Sequence, residues 1–319
     1  MTTAGRDVDG RTADRGVTVQ VANDRRCVLG EGPVWDPVRR RVMWVDISNG
    51  LILSGTLHDD GTVSTDDEVA VGGTVGAVAV SPSGEWVIAG TDGLLFRRPG
   101  GEIVAGPRIV DDATVRRLND GKPDPAGDFV VGTLALDDAA AGLERLVRVD
   151  GAGLVHPIDD DLTLSNGLAW SRDGDVMYSV DTLRRVVYAR QYRPGVGPTG
   201  ARRDHLRFEN GFPDGMCIDA EGCLWIAMWG LGEVRRYSPV GDLLSVVHVP
   251  APHVSSVAFA GDDLNTLLIT TATEDLDEAD IVTYPMSGCL FTIKPGVRGL
   301  HQPLWNGVVA TTPRKARSR

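Results

Sequence analysis

GPVWDPVRRRVMWVD, from Gly32 to Asp46, holds an alternating apolar run, a turn at Asp36-Pro37 and a second, more continuous apolar run. The same phrase returns as GAVAVSPSGEWVIAG from Gly76, DGKPDPAGDFVVGTL from Asp120, GLAWSRDGDVMYSVD from Gly167, GMCIDAEGCLWIAMW from Gly215 and SVAFAGDDLNTLLIT from Ser256, with steps of 44, 44, 47, 48 and 41 residues between starts. A repeat of this length with room for four short strands is the size of a propeller blade. Solenoids of paired helices share the period. No 3.6-residue stripe is sustained here, however, and runs such as Val42-Met43-Trp44-Val45 and Leu267-Leu268-Ile269-Thr270 favour strands. The sequence therefore predicts an all-β chain folded as a six-bladed β-propeller. Each phrase supplies the innermost strand, a turn made of Asp, Pro or Gly, and a buried second strand. More polar outer strands follow at Gly50–Leu57, Leu94–Arg97, Leu146–Val149, Val186–Arg190 and Glu233–Ser238.

The wider composition agrees. The chain has 319 residues, room for one large barrel or propeller, and its 39 glycines and 18 prolines suit many short strands joined by tight turns. The propeller is expected over residues 17–311. Residues 1–16 and the basic residues 312–319 fall outside the pattern and are expected to be disordered tails. A net charge of −12 repels phosphate backbones and anionic lipid heads, which argues against nucleic acid and membrane partners. No apolar run approaches a membrane span, and residues 1–20 contain no signal-peptide core, so a cytoplasmic monomer or weak homo-oligomer is expected. Cys27, Cys217, Cys223 and Cys289 form no paired metal or disulfide spacing and read as reduced core thiols. Trp35, Trp44, Trp86, Trp170 and Trp225 lie inside strand phrases and read as core.

Function is expected where the repeats meet. In a propeller each innermost strand enters from one face beside the central axis, so the residue just before each repeat occupies an equivalent place around a ring. Those residues are Glu31, Val75, Asn119, Asn166, Asp214 and Ser255. Two carboxylates and two carboxamides, with no imidazole or thiolate, suit a hard divalent cation in the central channel with positions left for water. Asn or Asp beside Gly is by itself an ordinary turn residue. Glu31 is not a turn former, and two carboxylates buried together are costly unless a cation or proton compensates. Of the six histidines only His253 falls near this face, and no nucleophile elbow, P-loop or dinucleotide fingerprint occurs.

The phrases LGEGPVWD with Glu31, RLNDGKPDPAGDFVVGT with Arg117, Asn119 and Asp120, SNGLAWS with Asn166, and PDGMCIDAEGCLWIAMWG with Asp214 resemble those of the SMP-30/gluconolactonase/LRE family, which includes regucalcin and bacterial sugar lactonases. They are spread over nearly the whole repeat region. The resemblance implies a six-bladed propeller with one catalytic divalent metal, for which calcium or zinc comes first and magnesium, manganese or iron(II) are alternatives. It implies Glu31, Asn166 and Asp214 as metal ligands, and Arg117 and Asn119 as contacts to substrate hydroxyls and carbonyl. One position departs from the family: where regucalcin-like members carry a substrate-facing Glu after the Gly-Thr of the third phrase, this chain reads Gly132-Thr133-Leu134-Ala135-Leu136-Asp137, which makes Asp137 the corresponding, shorter acid.

The implied reaction is metal-dependent opening of aldonolactones such as glucono-, xylono- or arabinonolactone to aldonic acids, with Asp214 as general base. Arg117 is expected to hold sugar oxygens by its guanidinium fork. Two other readings stay open at this stage: a propeller phosphotriesterase on the same scaffold, and a calcium-binding propeller without catalysis.

Overall fold

The computed structural model describes residues 19–137 and 142–307; the predicted tails 1–16 and 312–319 lie outside the described residues. Six antiparallel sheets follow one another along the chain, as the repeats predict. Their inner strands are Gly30–Asp36, Ala77–Val80, Arg116–Pro123, Ser165–Trp170, Phe212–Ile218 and Val254–Ala260. Each pairs with the second strand of its phrase, for example Arg41–Asp46 beside Gly30–Asp36, and the four-stranded order then runs outward. In the fourth blade the outer strand Arg203–Arg207 pairs with Val186–Arg193 after a small hairpin.

The sixth blade closes the ring with chain from both halves. After Val254–Ala260, Thr266–Thr271 and Leu290–Ile293, its outermost strand is Gln20–Asn23, in register through Gln20 opposite Thr292 and Val21 opposite Phe291. Among the described residues this pairs the first strand with the last and so joins the two ends of the ring.

The cores lie between blades. Trp44, Trp225, Phe129 and Phe291 are almost wholly buried, and each such side chain contributes roughly 2–3 kcal/mol by leaving water. Trp35, Trp86 and Trp170 are buried too, as expected. All four cysteines are free and buried. Burial pushes the Cys27 and Cys217 thiols up to about 12, so they are inert protonated core groups.

Two features of the inner strands shape the channel. A break in register recurs where the ring residue sits, between Glu31 and Val34, Leu118 and Gly121, Asn166 and Leu168, Pro213 and Met216, and Val254 and Ser256. Such bulges re-aim a side chain out of the sheet's alternation, here toward the axis. Adjacent inner strands also approach closely through glycine: a Cβ on Gly76 would stand 2.3 Å from the Asn119 carbonyl oxygen, and one on Gly167 would stand 2.4 Å from that of Asp214. The glycine after a ring position thus lets the next blade's ring residue come near.

Segment 298–307 crosses the opposite end of the channel, tied by Ala220 N–H to the Arg298 carbonyl at 2.8 Å, Trp305 N–H to the Val80 carbonyl at 2.9 Å and Asn306 N–H to the Gly127 carbonyl at 3.0 Å. Between this segment and the channel floor at Asp120 and Lys122 remains a space of only about 20 Å³. No helix among the described residues is long and apolar enough to cross a membrane.

Candidate active site

A cavity of about 310 Å³ opens at the other end of the channel, and its lining falls into three layers set by strand geometry. The deepest is the predicted ring, with Glu31, Asn119, Asn166 and Asp214 all buried. Two residues earlier in the chain, on or just before the same strands, come Leu29, Arg117, Leu164 and Phe212. The rim comes from the ends of the second strands and the loops after them: Ile47, Leu134, Thr182, Leu183, Trp229, Glu274 and Asp275. Val75 and Ser255, the two remaining ring positions, are buried outside this lining; the Ser255 hydroxyl donates to the Gly30 carbonyl at 2.5 Å.

Hydrogen bonds orient the polar floor in one direction. The Arg117 guanidinium donates to Asn119 Oδ1 at 2.6 Å, and Asn119 Nδ2 donates to Asn166 Oδ1 at 2.7 Å. Asn166 Nδ2 then donates to Thr182 Oγ1 at 2.9 Å, whose hydroxyl donates to the Pro213 carbonyl at 2.8 Å. Because the arginine can only donate and the carbonyl can only accept, each amide in between has a single consistent orientation. Asn166 therefore presents its oxygen, not its nitrogen, toward Asn119 and the floor. The loops that deliver the ring residues are pinned as well: the Asp46 carboxylate accepts from Val28 and Leu29 N–H, and that of Asp181 from Thr163 and Leu164 N–H.

The floor is strongly acidic. Burial and the nearby Asp120 carboxylate push Glu31 up to about 8, against the opposing pull of the Gly32 N–H, Arg117 and Lys122. Burial raises Asp214 well above the ordinary carboxylate range, with Glu31 and then Asp120 adding to the effect. Burial raises Asp120 too, against Lys122. Lys122 itself is spread between carbonyls, its ammonium donating to Leu168 at 3.0 Å and Met216 at 2.9 Å. Burial lowers Arg117 to about 10, which leaves it charged at neutral pH, and Glu274, Glu31 and Asp214 support that charge.

Asp214 Oδ1 is buried with no hydrogen-bond donor among the described residues, and only a proton held between them could join the Asp214 and Glu31 carboxyls. An orphaned carboxylate oxygen beside a second acid and an oriented carboxamide oxygen is an all-oxygen donor set of the kind that hard divalent cations take. Among the described residues no three His, Cys, Asp or Glu side chains are grouped to hold a metal, and the Asn166 carboxamide oxygen is a neutral oxygen on the same floor as the two acids.

A family model described as SMP-30/Gluconolactonase/LRE-like region matches residues 29–273. The chain belongs to this family. It is 34% identical over 290 residues to the 6-deoxy-6-sulfogluconolactonase of Pseudomonas putida, covering 88% of this chain and 96% of that one. It is 35% identical over 291 residues to a pentonolactonase of Haloferax volcanii, covering 89% and 96% respectively. Among solved structures it resembles a calcium-binding protein, regucalcin, from Agrobacterium tumefaciens, with a TM-score of 0.84 and 29% identity over 91% of this chain and 97% of that one.

Glu31, Arg117, Asn119, Asn166 and Asp214 thus meet in one cavity. Asp137 does not join them: it is exposed at the end of its strand and outside the cavity lining, where the same strand contributes Leu134. His253 stacks on Trp229, with ring centroids 4.1 Å apart, and stands behind the lining. Sequence reasoning passed over Thr182, Trp229, Glu274 and Asp275. Their signal is positional, since each stands at or just beyond the end of a second strand.

Proposed function

We propose that this family member opens sugar lactones to aldonic acids, with one divalent cation held by Glu31, Asn166 and Asp214. The observation that carries the reading is the meeting of an unpartnered Asp214 oxygen, Glu31 and the oriented Asn166 oxygen, beside Asn119 and beneath Arg117, in one buried cavity. Lactonase names among the relatives and the calcium-binding regucalcin neighbour support it. When bound, the cation supplies Lewis-acid polarisation of the lactone carbonyl and stabilises negative charge developing on its oxygen.

The chain's own residues do the rest. Asp214 takes a proton from the attacking water as the new carbon–oxygen bond forms. The ring carbon–oxygen bond breaks, that proton ends on the departing ring oxygen as a hydroxyl, and the acid product ionises into solvent. Arg117, fixed on Asn119, offers its remaining N–H groups to sugar oxygens. Leu29, Leu164 and Phe212 exclude water from the layer around it.

Five- and six-carbon aldonolactones are the expected substrates, because a site equipped to bond hydroxyls discriminates against analogues without them. Proton release from a lactone panel at near-neutral pH, corrected for spontaneous opening, is the test. Aldonolactones should be opened in a chelator-sensitive manner and γ-butyrolactone far more slowly. Chelator-insensitive opening, or γ-butyrolactone opened as fast as the sugars, counts against the reading.

Thr182→Val tests the oriented floor. It removes both the acceptor for Asn166 Nδ2 and the donor to Pro213 at nearly constant volume. Divalent-cation affinity measured by titration is expected to weaken about 10–100-fold, as when a residue orienting a ligand is lost. Unchanged affinity would separate Thr182 from cation binding.

A further inference from the structure

The rim of the cavity carries two acids for which the reaction has no use. Glu274 and Asp275 line the opening, on the loop that follows Thr266–Thr271. They are held there from several sides. The N–H groups of Thr273 and Glu274 both donate to the Val28 carbonyl at 2.9 Å, Ser48 Oγ donates to Glu274 Oε2 at 2.8 Å, and His253 Nδ1 meets the Glu274 carbonyl at 2.9 Å. Asp275 adopts a φ of 63°, in the left-handed region that Asp and Asn enter more readily than other non-glycine residues. The loop backbone and the Glu274 carboxylate are therefore fixed over the entrance, with Asp275 exposed beside them at the opening.

Their charge is not absorbed below. Among the described residues Arg117 is the one cationic side chain lining the cavity, against the acids Glu31, Asp214, Glu274 and Asp275 of the same lining. A divalent cation on the floor together with Arg117 still leaves one negative charge in excess. The scissile ester of a bound lactone belongs at the buried floor, so the far end of the sugar points to the rim. A hydroxymethyl group there can donate hydrogen bonds to the carboxylates, whereas an anionic group meets like charge.

We propose that Glu274 and Asp275 select substrates by the charge at the end remote from the scissile bond, accepting lactones that end in a hydroxyl and repelling those that end in a carboxylate, sulfonate or phosphate. The proposal rests on the lactonase reading above and gives these two residues an acidic contact at the remote end of the sugar.

A matched pair of probes tests it: D-glucono-1,4-lactone and D-glucaro-1,4-lactone differ only in having CH2OH or a carboxylate at the sixth carbon. The protein with its cation loaded should favour the neutral lactone in kcat/KM by about tenfold or more at 10 mM salt. That preference should shrink as ionic strength rises to 1 M, since the screening length falls from about 30 Å to about 3 Å. In Glu274→Gln with Asp275→Asn the preference at low salt should largely vanish. Gln retains an acceptor for Ser48 and Asn tolerates the left-handed φ, so the loop keeps its course. Equal opening of the two lactones by the unaltered protein, or a preference that persists undiminished in the double variant and in 1 M salt, would overturn the proposal while leaving the lactonase reading in place. Opening of neither lactone would overturn both.

Discussion

Asp214→Asn is expected to lower kcat for aldonolactones by about a thousandfold, the scale of a lost general base. The Asp214 carboxylate, one oxygen of which has no partner among the described residues, can hold the cation and take the proton of the attacking water through its two oxygens, and an amide in its place cannot take that proton. The substitution has little reason to unfold the chain. Asp214 lies buried beside Glu31 and Asp120, which raises it, so a neutral isostere spares the cation-free fold the proton uptake that burying this acid requires. A large fall in kcat with an unchanged or higher melting temperature in the cation-free protein is the expected pair of results. Arg117→Ala gives the contrast: Arg117 positions the sugar in ground state and transition state alike, so its loss should appear chiefly as a higher KM. Equal losses of kcat in both variants would remove the division of labour between them.

What the sequence made legible follows from where the information lies. The blades were readable because all but the sixth blade's outermost strand come from contiguous chain, with each blade's turn residues inside its own repeat. The strand Gln20–Asn23 was not, since QVAN carries no repeat phrase and its partner Leu290–Ile293 lies at the far end of the chain. The floor of the site was readable because Glu31, Asn119, Asn166 and Asp214 share one phase of the repeat, and Arg117 stands two residues before that phase on the same strand face. The rim uses a different phase and unrelated residue types: Ile47, Leu134, Thr182, Trp229 and Glu274 have nothing in common but their position at the end of a second strand. Asp137 is a different case: it continues the third phrase in sequence, and it is exposed two residues past the end of the strand Phe129–Ala135, outside the cavity lining. The hydrogen-bond chain from Arg117 to Pro213 crosses three blades and has no local sequence signature.

Removing the cation should make stability fall as pH rises from about 5 to about 8, and restoring it should abolish that fall. Glu31 ionises near 4.5 when unfolded and at about 8 in the folded, cation-free protein. Between those values the folded chain holds a proton that the unfolded chain has lost, so folding takes up protons and stability declines with pH across that window. Asp214, raised for the same reasons of burial and like charge, acts in the same direction. The decline is expected to reach roughly 2 kcal/mol or more, which for a chain of this size is about 4 °C or more in Tm. A divalent cation replaces those protons with charge that both carboxylates favour. Its uptake should therefore release protons near neutral pH, and its affinity should weaken as pH falls below about 8, where protons compete for Glu31. Glu31→Gln removes one ligand and one titrating group together, so it should weaken the cation strongly and flatten the pH dependence of the cation-free protein. Calorimetric titration in buffers of different ionisation enthalpy gives the proton count, and melting curves at pH 5, 6.5 and 8 with and without chelator give the slope. A cation-free protein that gains stability over this interval, or a cation that binds with no proton release, would mean that Glu31 and Asp214 are not held protonated on the channel floor and would remove the electrostatic case for a cation there.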